Sequence, residues 1–203
     1  MLEPIEEISE KTIAHISESV SKSSSKVHEV DMKPLVQGFA LDTIARVAFG
    51  LHTNVHKGEN KEFATYAFAA FSGFMTETWD KMVMYHLMQH FPTVAAMVGF
   101  WPEEALKLRQ ITHDVMKERD EKNVHIGDFI DRLREFKKVK EPPITDGMLD
   151  AQGMIFISAG FETTANTLGS LIYHLATHPH IQQKILEEIS DVLVVEEAII
   201  HES

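Results

Sequence analysis

From Ala151 to Gln183 the only formally charged side chain is Glu162. A carboxylate taken out of water without a partner costs several kcal/mol, at roughly 2–7 even for a neutral polar group and more for an ion. Any fold that buries this apolar segment must therefore either pair Glu162 or use it. The segment reads "MIFISAGFETTANTLGSLIYHLATHP", and the acid sits near its middle beside a glycine and two threonines.

A membrane span is the first architecture to weigh. Ala151–Thr177 holds 14 apolar residues out of 27, broken by Gln152, Ser158, Thr163, Thr164, Asn166, Thr167 and Ser170. A spanning helix wants about 20 predominantly apolar residues, and a central acid costs roughly 2.5–3.5 kcal/mol on insertion. The segment reads instead as a helix beside a cavity, with no membrane span in this chain. Thr145 or Asp146 is placed to cap its start and Pro179 breaks it near His178, so one long helix is expected over about 145–178.

The rest of the chain also carries helical period. Ile5, Ile8, Ile16 and Val20 form one stripe, ending in "SKSSSK". "VHEVDMKP" reads as a short extended connection, and a second helix runs from Pro34 to a cap at Gly50, with Val36, Ala40, Ile44 and Val47 inward. Lys61–Phe74 is rich in Phe; Glu77–Trp101 is apolar but interrupted by Pro92 and Pro102. Helices are expected at Glu103–Lys122 and Asp128–Lys138, with a turn at "KEPPITDG". A final helix, "PHIQQKILEEI", is expected to bury Ile181, Ile185 and Ile189. The fold class is mainly α, and no repeat, strand ladder or clean linker interrupts the single domain expected over 1–203.

Charge and composition remove several chemistries. With 19 Lys and Arg against 31 Asp and Glu, the net charge of -12 argues against a nucleic-acid partner. The chain contains no cysteine, which excludes disulfides, zinc thiolates and cysteine nucleophiles. His86 and His90 lie four apart, but no Glu follows His86, so the zinc-protease pattern fails and a solvent-edge pair is the reading. No metal ligand is assigned. His174, His178 and His180 cluster at the helix break, where imidazole can bond the last carbonyls.

Within the long helix, four-residue spacing places Ile155, Ala159, Thr163 and Thr167 on one face, with Glu162 beside Thr163. Ala159 and Gly160 carry almost no side chain, leaving room for a flat group against the backbone. Thr163 can turn its hydroxyl onto the carbonyl of Ala159. Hydroxyl and carboxylate together make a workable proton relay, the acid supplying a proton to whatever the alcohol holds. The alternative is a packing notch with a satisfied polar pair.

"AGFETT" followed by "LIYHLATHPHIQQKILEEI" resembles the distal-helix signature of the cytochrome P-450 haem-thiolate monooxygenases. The pattern small–Gly–x–acid–Thr is met by Ala159, Gly160, Phe161, Glu162 and Thr163. Upstream, "VDMKPLVQGFALDTIARVAFG" resembles the family helix with an Asp-x-Ile that ends in Phe-Gly, here Asp42, Ile44, Phe49 and Gly50. "WPEEALKLRQITHDVMKERDEK" and "DFIDRL" follow in the family's order, and the set is most similar to the microsomal, drug-metabolising family-3 branch. The resemblance implies the middle helical portion of that fold. It implies Glu162 and Thr163 as catalytic residues of a proton pathway. Ala159, Gly160 and Thr163 would line the haem, and Ile155 and Phe156 would border the substrate cavity. Phe63–Phe74 and Trp101–Lys122 would frame its entrance. The implied reaction is oxidation of a small apolar substrate by O2, with electrons from NADPH through a reductase at the endoplasmic reticulum membrane.

The departures bear on competence. The family's haem loop needs a Cys, and its Glu-x-x-Arg pair is also missing, since no Glu here has an Arg three positions later. The anchor and early sheet segments of the family are absent, which points to the cytoplasm. The tail "VVEEAIIHES" departs from the family and reads as a truncated or spliced end. Hence the expectation of a monooxygenase fragment that carries the oxygen-side helix, lacks the axial ligand and is inactive alone. The alternative is a non-enzymatic helical protein or partner-binding fragment.

Overall fold

The structure, a computed structural model, describes residues 2–22, 29–75, 79–98, 103–138 and 144–201. They form α1 (Leu2–Lys22), α2 (Met32–Phe49), α3 (Lys61–Met75), α4 (Trp79–His90), α5 (Pro92–Val98), α6 (Glu103–Lys122), α7 (Phe129–Lys137), α8 (Asp146–Thr177) and α9 (Pro179–His201). Among the described residues there is no strand, only an isolated bridge between Asn54 and Glu59. The chain divides into two compact units, Met1–Ala165 and Asn166–Ser203.

Helix ends fall where local chemistry puts them. Asp31 caps α2 by accepting the Lys33 N–H at 3.0 Å, so the helix starts at Met32 and Pro34 sits within its first turn. A proline costs no bond there, because the first four N–H groups lack intrahelical acceptors. Gly50 ends α2 in the left-handed region (φ 63°), donating to the carbonyls of Ala45 and Arg46. Asp128 caps α7 through the Asp131 N–H, and Thr145 Oγ1 accepts the Met148 N–H at 3.3 Å to open α8. Pro92 and Pro179 each occupy the first helical position, of α5 and α9. The expected connection at "VHEVDMKP" lies in part outside the described residues, as do half of "KEPPITDG" and both Trp101 and Pro102.

In the first unit α2 is the central element. It packs against α1 and α7 and buries Leu35, Val36, Ala40, Leu41, Ala45, Ala48 and Phe49. The single inward face expected from periodicity is too narrow: Val36 and Ala40 are buried, but Ile44 and Val47 are only half-buried. Two neighbours on different sides widen the apolar arc beyond one stripe. The stripe of α1 is correspondingly overestimated, since Ile8 alone is buried and Val20 is exposed. After α2 the chain reverses under Asp42. Its buried carboxylate accepts the Thr53 hydroxyl at 2.5 Å and the Val55 N–H at 3.1 Å, so the Asp of the Asp-x-Ile element fastens a loop.

An ion cluster joins α2, α6 and α7. The Arg119 guanidinium donates to both oxygens of Asp128 at 2.6 Å, to Asp131 at 3.2 Å and to the carbonyl of Phe49 at 2.7 Å. Asp131 also accepts from the N–H groups of Ile126 and Gly127 and from Arg134. Burial alone would raise its pKa; these donors outweigh burial and hold the carboxyl well below the usual carboxylate range.

The second unit contains the last turns of α8 and all of α9. At the break, His178 Nδ1 lies 3.0 Å from the His174 carbonyl, in the role expected of a C-terminal imidazole. The burial expected along α9 does not occur. Ile181, Ile185 and Ile189 are 43%, 37% and 52% exposed. Four-residue spacing gives a helix an apolar face, but burial needs an opposing surface as well.

Candidate functional site

Helix α8 presents each residue of its motif in a different direction, and the neighbours decide which. Phe161 is fully buried, with the rings of Phe68 and Phe71 of α3 meeting it edge-on at 5.5 and 5.8 Å. This aromatic wedge holds α8 on α3 and fixes the rotation of the helix. Eight residues earlier, Gly153 touches α6 so closely that a Cβ there would lie 2.2 Å from Thr112 Cγ2. Phe156 stacks on Phe129 of α7 at 4.2 Å, so part of the side chain expected at a substrate cavity is occupied by packing.

With that rotation fixed, Glu162 turns inward and is 4% exposed. Its Oε2 accepts the Gln37 amide Nε2 at 2.6 Å, and its Oε1 lies 3.4 Å from Lys33 Nζ. The carboxylate in the uncharged segment is therefore paired, and from α2. Lys33 keeps its side chain 64% exposed, so a buried acid is linked to solvent through one ammonium at the rim.

Thr163, the next residue, lies on the exposed side. Its hydroxyl donates to the Ala159 carbonyl at 2.6 Å, the back-bond expected from the sequence. Ala159, Ile155 and Thr167 are exposed on the same side, so the face drawn from four-residue spacing exists as an open stripe. Gly160 is directed at α2: a Cβ there would lie 2.7 Å from Ile44 Cδ1. Its missing side chain serves helix approach, leaving Ala159 as the small residue of the open face. The structure thus brings Ala159 and Thr163 together, sets Glu162 on the α2 flank, and directs Gly160 toward Ile44.

Sequence reasoning missed Gln37 and Lys33. They stand four apart on α2, and Gln37 is 125 residues from its partner. The available signal was a lone amide in the apolar run Leu35–Leu41, since such a group needs a polar partner when buried. Elsewhere, the rings of His86 and His90 lie 4.4 Å apart on the exposed side of α4. Among the described residues no group of three or more His, Cys, Asp or Glu is arranged to hold a metal, and no helix is long and apolar enough to cross a membrane.

Comparison with known proteins identifies the family. The family profile of Cytochrome P450 matches residues 1–202. The probable cytochrome P450 6a18 of Drosophila melanogaster is 28% identical over 199 residues, covering 92% of this chain and 38% of that protein. Cytochrome P450 3A5 of Homo sapiens is 28% identical over 184 residues, covering 86% of this chain and 36% of that protein. The solved heme domain of cytochrome P450DA shares the fold with a TM-score of 0.60 at 19% identity, over 87% of this chain and 36% of that one. The chain spans less than two fifths of the length of these relatives, and its helices are the mainly α middle portion of their fold. With that profile matching all but the last residue of the sequence, the chain belongs to the cytochrome P450 family.

Proposed function

We propose that this chain forms the oxygen-side wall of a haem monooxygenase, with α8 as the wall and α2, α3, α6 and α7 as its support. The observation that carries the reading is the division of labour on α8. An alcohol and a small residue lie on an open, partly apolar stripe, while the neighbouring acid is buried and tied to a solvent-exposed lysine. The stripe of Ile155, Ala159 and Thr163 suits one face of a flat apolar macrocycle. The donor set suits the other face poorly, because the 203 residues contain no cysteine to supply a thiolate. The haem, when bound, supplies the iron chemistry that activates O2, and that chemistry belongs to the cofactor.

The chain's own residues would do the following. Ala159 leaves the backbone open to the cofactor face. Thr163 holds a water or an oxygen species by its hydroxyl, and Glu162 passes a proton from the rim at Lys33 toward that hydroxyl, a role worth on the order of 10²–10⁴ in rate where proton transfer limits. Gly160 keeps α8 close to α2. A small apolar substrate, NADPH-derived electrons from a reductase and an endoplasmic reticulum setting belong to the same proposal, as does the inactivity of this chain alone.

Two measurements test it. The purified chain mixed with haemin and reduced under carbon monoxide should give no thiolate-type absorption band. In a longer product of the same gene that carries a Cys loop, Thr163→Ala should lower product formed per NADPH by at least about tenfold. A thiolate-type band from the 203 residues, or unchanged coupling in that variant, overturns the reading.

A second reading rests on α9, whose exposed Ile181, Ile185 and Ile189 would suit a non-enzymatic, partner-binding helical fragment. Transcripts that end at Ser203 in every tissue would favour it. Transcripts that continue into a Glu-x-x-Arg and a Gly-rich Cys segment would favour the enzyme.

A further inference from the structure

Among the described residues, the carboxylate of Glu162 has two polar neighbours, and both come from α2. One is a neutral amide at 2.6 Å and the other an ammonium at 3.4 Å. Gln37 and Lys33 are four residues apart, on adjacent turns of one helix face, and each addresses a different oxygen of the acid. The flanking residues make apolar contacts, with Gly160 against Ile44 and Phe161 against Phe68 and Phe71. The direction of the acid is therefore set by α2, whereas the direction of the alcohol is set by α8 itself through the Ala159 carbonyl.

We infer that Gln37, with Lys33, is a positioning residue that holds the Glu162 carboxylate against α2, with one oxygen at the rim beside Lys33. The inference deepens the proposed function and rests on it for its catalytic meaning, while the clamp itself is a property of the 203-residue chain. A charge-assisted hydrogen bond of this length is among the stronger polar contacts a protein makes. The exposed lysine leaves one oxygen of the acid near the solvent rim.

The test reads the acid without any cofactor. Carbodiimide-driven coupling of an amine to carboxylates, quantified by peptide mass spectrometry, reports how accessible Glu162 is. Asp131, buried in the separate arginine cluster, serves as the control for global unfolding. Gln37→Leu should raise the labelling rate of Glu162 by about tenfold, the factor expected for loss of a hydrogen bond to a charged group, with Asp131 unchanged. Lys33→Met should raise it less, and Lys33→Arg should restore protection, which a purely steric role for position 33 would not do. Unchanged Glu162 labelling in Gln37→Leu overturns the inference. So does a parallel rise at Glu162 and Asp131, since Gln37 would then hold the fold and not the acid. The proposed monooxygenase role stands or falls separately, on the carbon monoxide spectrum and the coupling of the Thr163 variant.

Discussion

Single side chains in this chain decide matters that periodicity cannot. Asp131 is the clearest case, with four donors converging on one buried carboxylate. Its folded-state pKa is depressed, so its contribution to stability is complete above the titration of an unfolded carboxyl, near pH 4, and is lost as pH falls further. Asp131→Asn should therefore cost about 3 kcal/mol at neutral pH, as expected when one partner leaves a buried ion cluster. The gap from the parent chain should narrow below about pH 4. Urea unfolding at pH 7, 5 and 3 measures it, and a gap that stays constant across that range contradicts the assignment. The sequence signalled this cluster only as "RDEK" and "DFIDRL", because charges on a helix surface look the same whether solvated or shared. Glu162 was legible for the opposite reason: it stood alone. Its need for a partner could be read from the chain, but the partner, on another helix 125 residues away, could not.

At the scale of helices, the boundaries were the legible part. Gly50, Pro92 and Pro179 stop or start elements wherever they stand, because their backbone restrictions act locally. Faces were less legible. A helix with one neighbour has one stripe, but α2 has neighbours on several sides, and its buried set outgrew the four positions expected. Close approach is also invisible in the sequence, since α8 contains several glycines and only contact distinguishes them. Gly153 and Gly160 make the comparison directly. A methyl at Gly153 would meet the buried Thr112 side chain down to its Cβ, which has nowhere to move. At Gly160 it would meet the far end of Ile44, which can rotate. Gly153→Ala should cost a net of about 2 kcal/mol by overpacking. Gly160→Ala should stay within about 1 kcal/mol of the parent, as the gain in helix propensity offsets a small rearrangement. Thermal melts of the two variants under one buffer decide it, and equal losses would contradict the distances.

For the molecule as a whole, the largest misjudged feature is α9. Its apolar spacing is real, but spacing alone does not supply a surface to bury it. Leu186, Val192 and Leu193 are exposed on the same helix. Exposed apolar area of this kind drives association. Sedimentation of the purified chain should show concentration-dependent self-association, which Ile185→Lys combined with Ile189→Glu should reduce; identical profiles for both proteins would count against it. The contact at Gly153 has a different kind of consequence. One turn of sliding, about 5.4 Å along the axis, would bring Leu149 or Ile157 opposite Thr112, and neither offers the empty space that a glycine does. Helix α8 is thereby indexed against α6 like a key at a single notch, and the height at which its acid meets α2 is inherited from a contact more than two turns away.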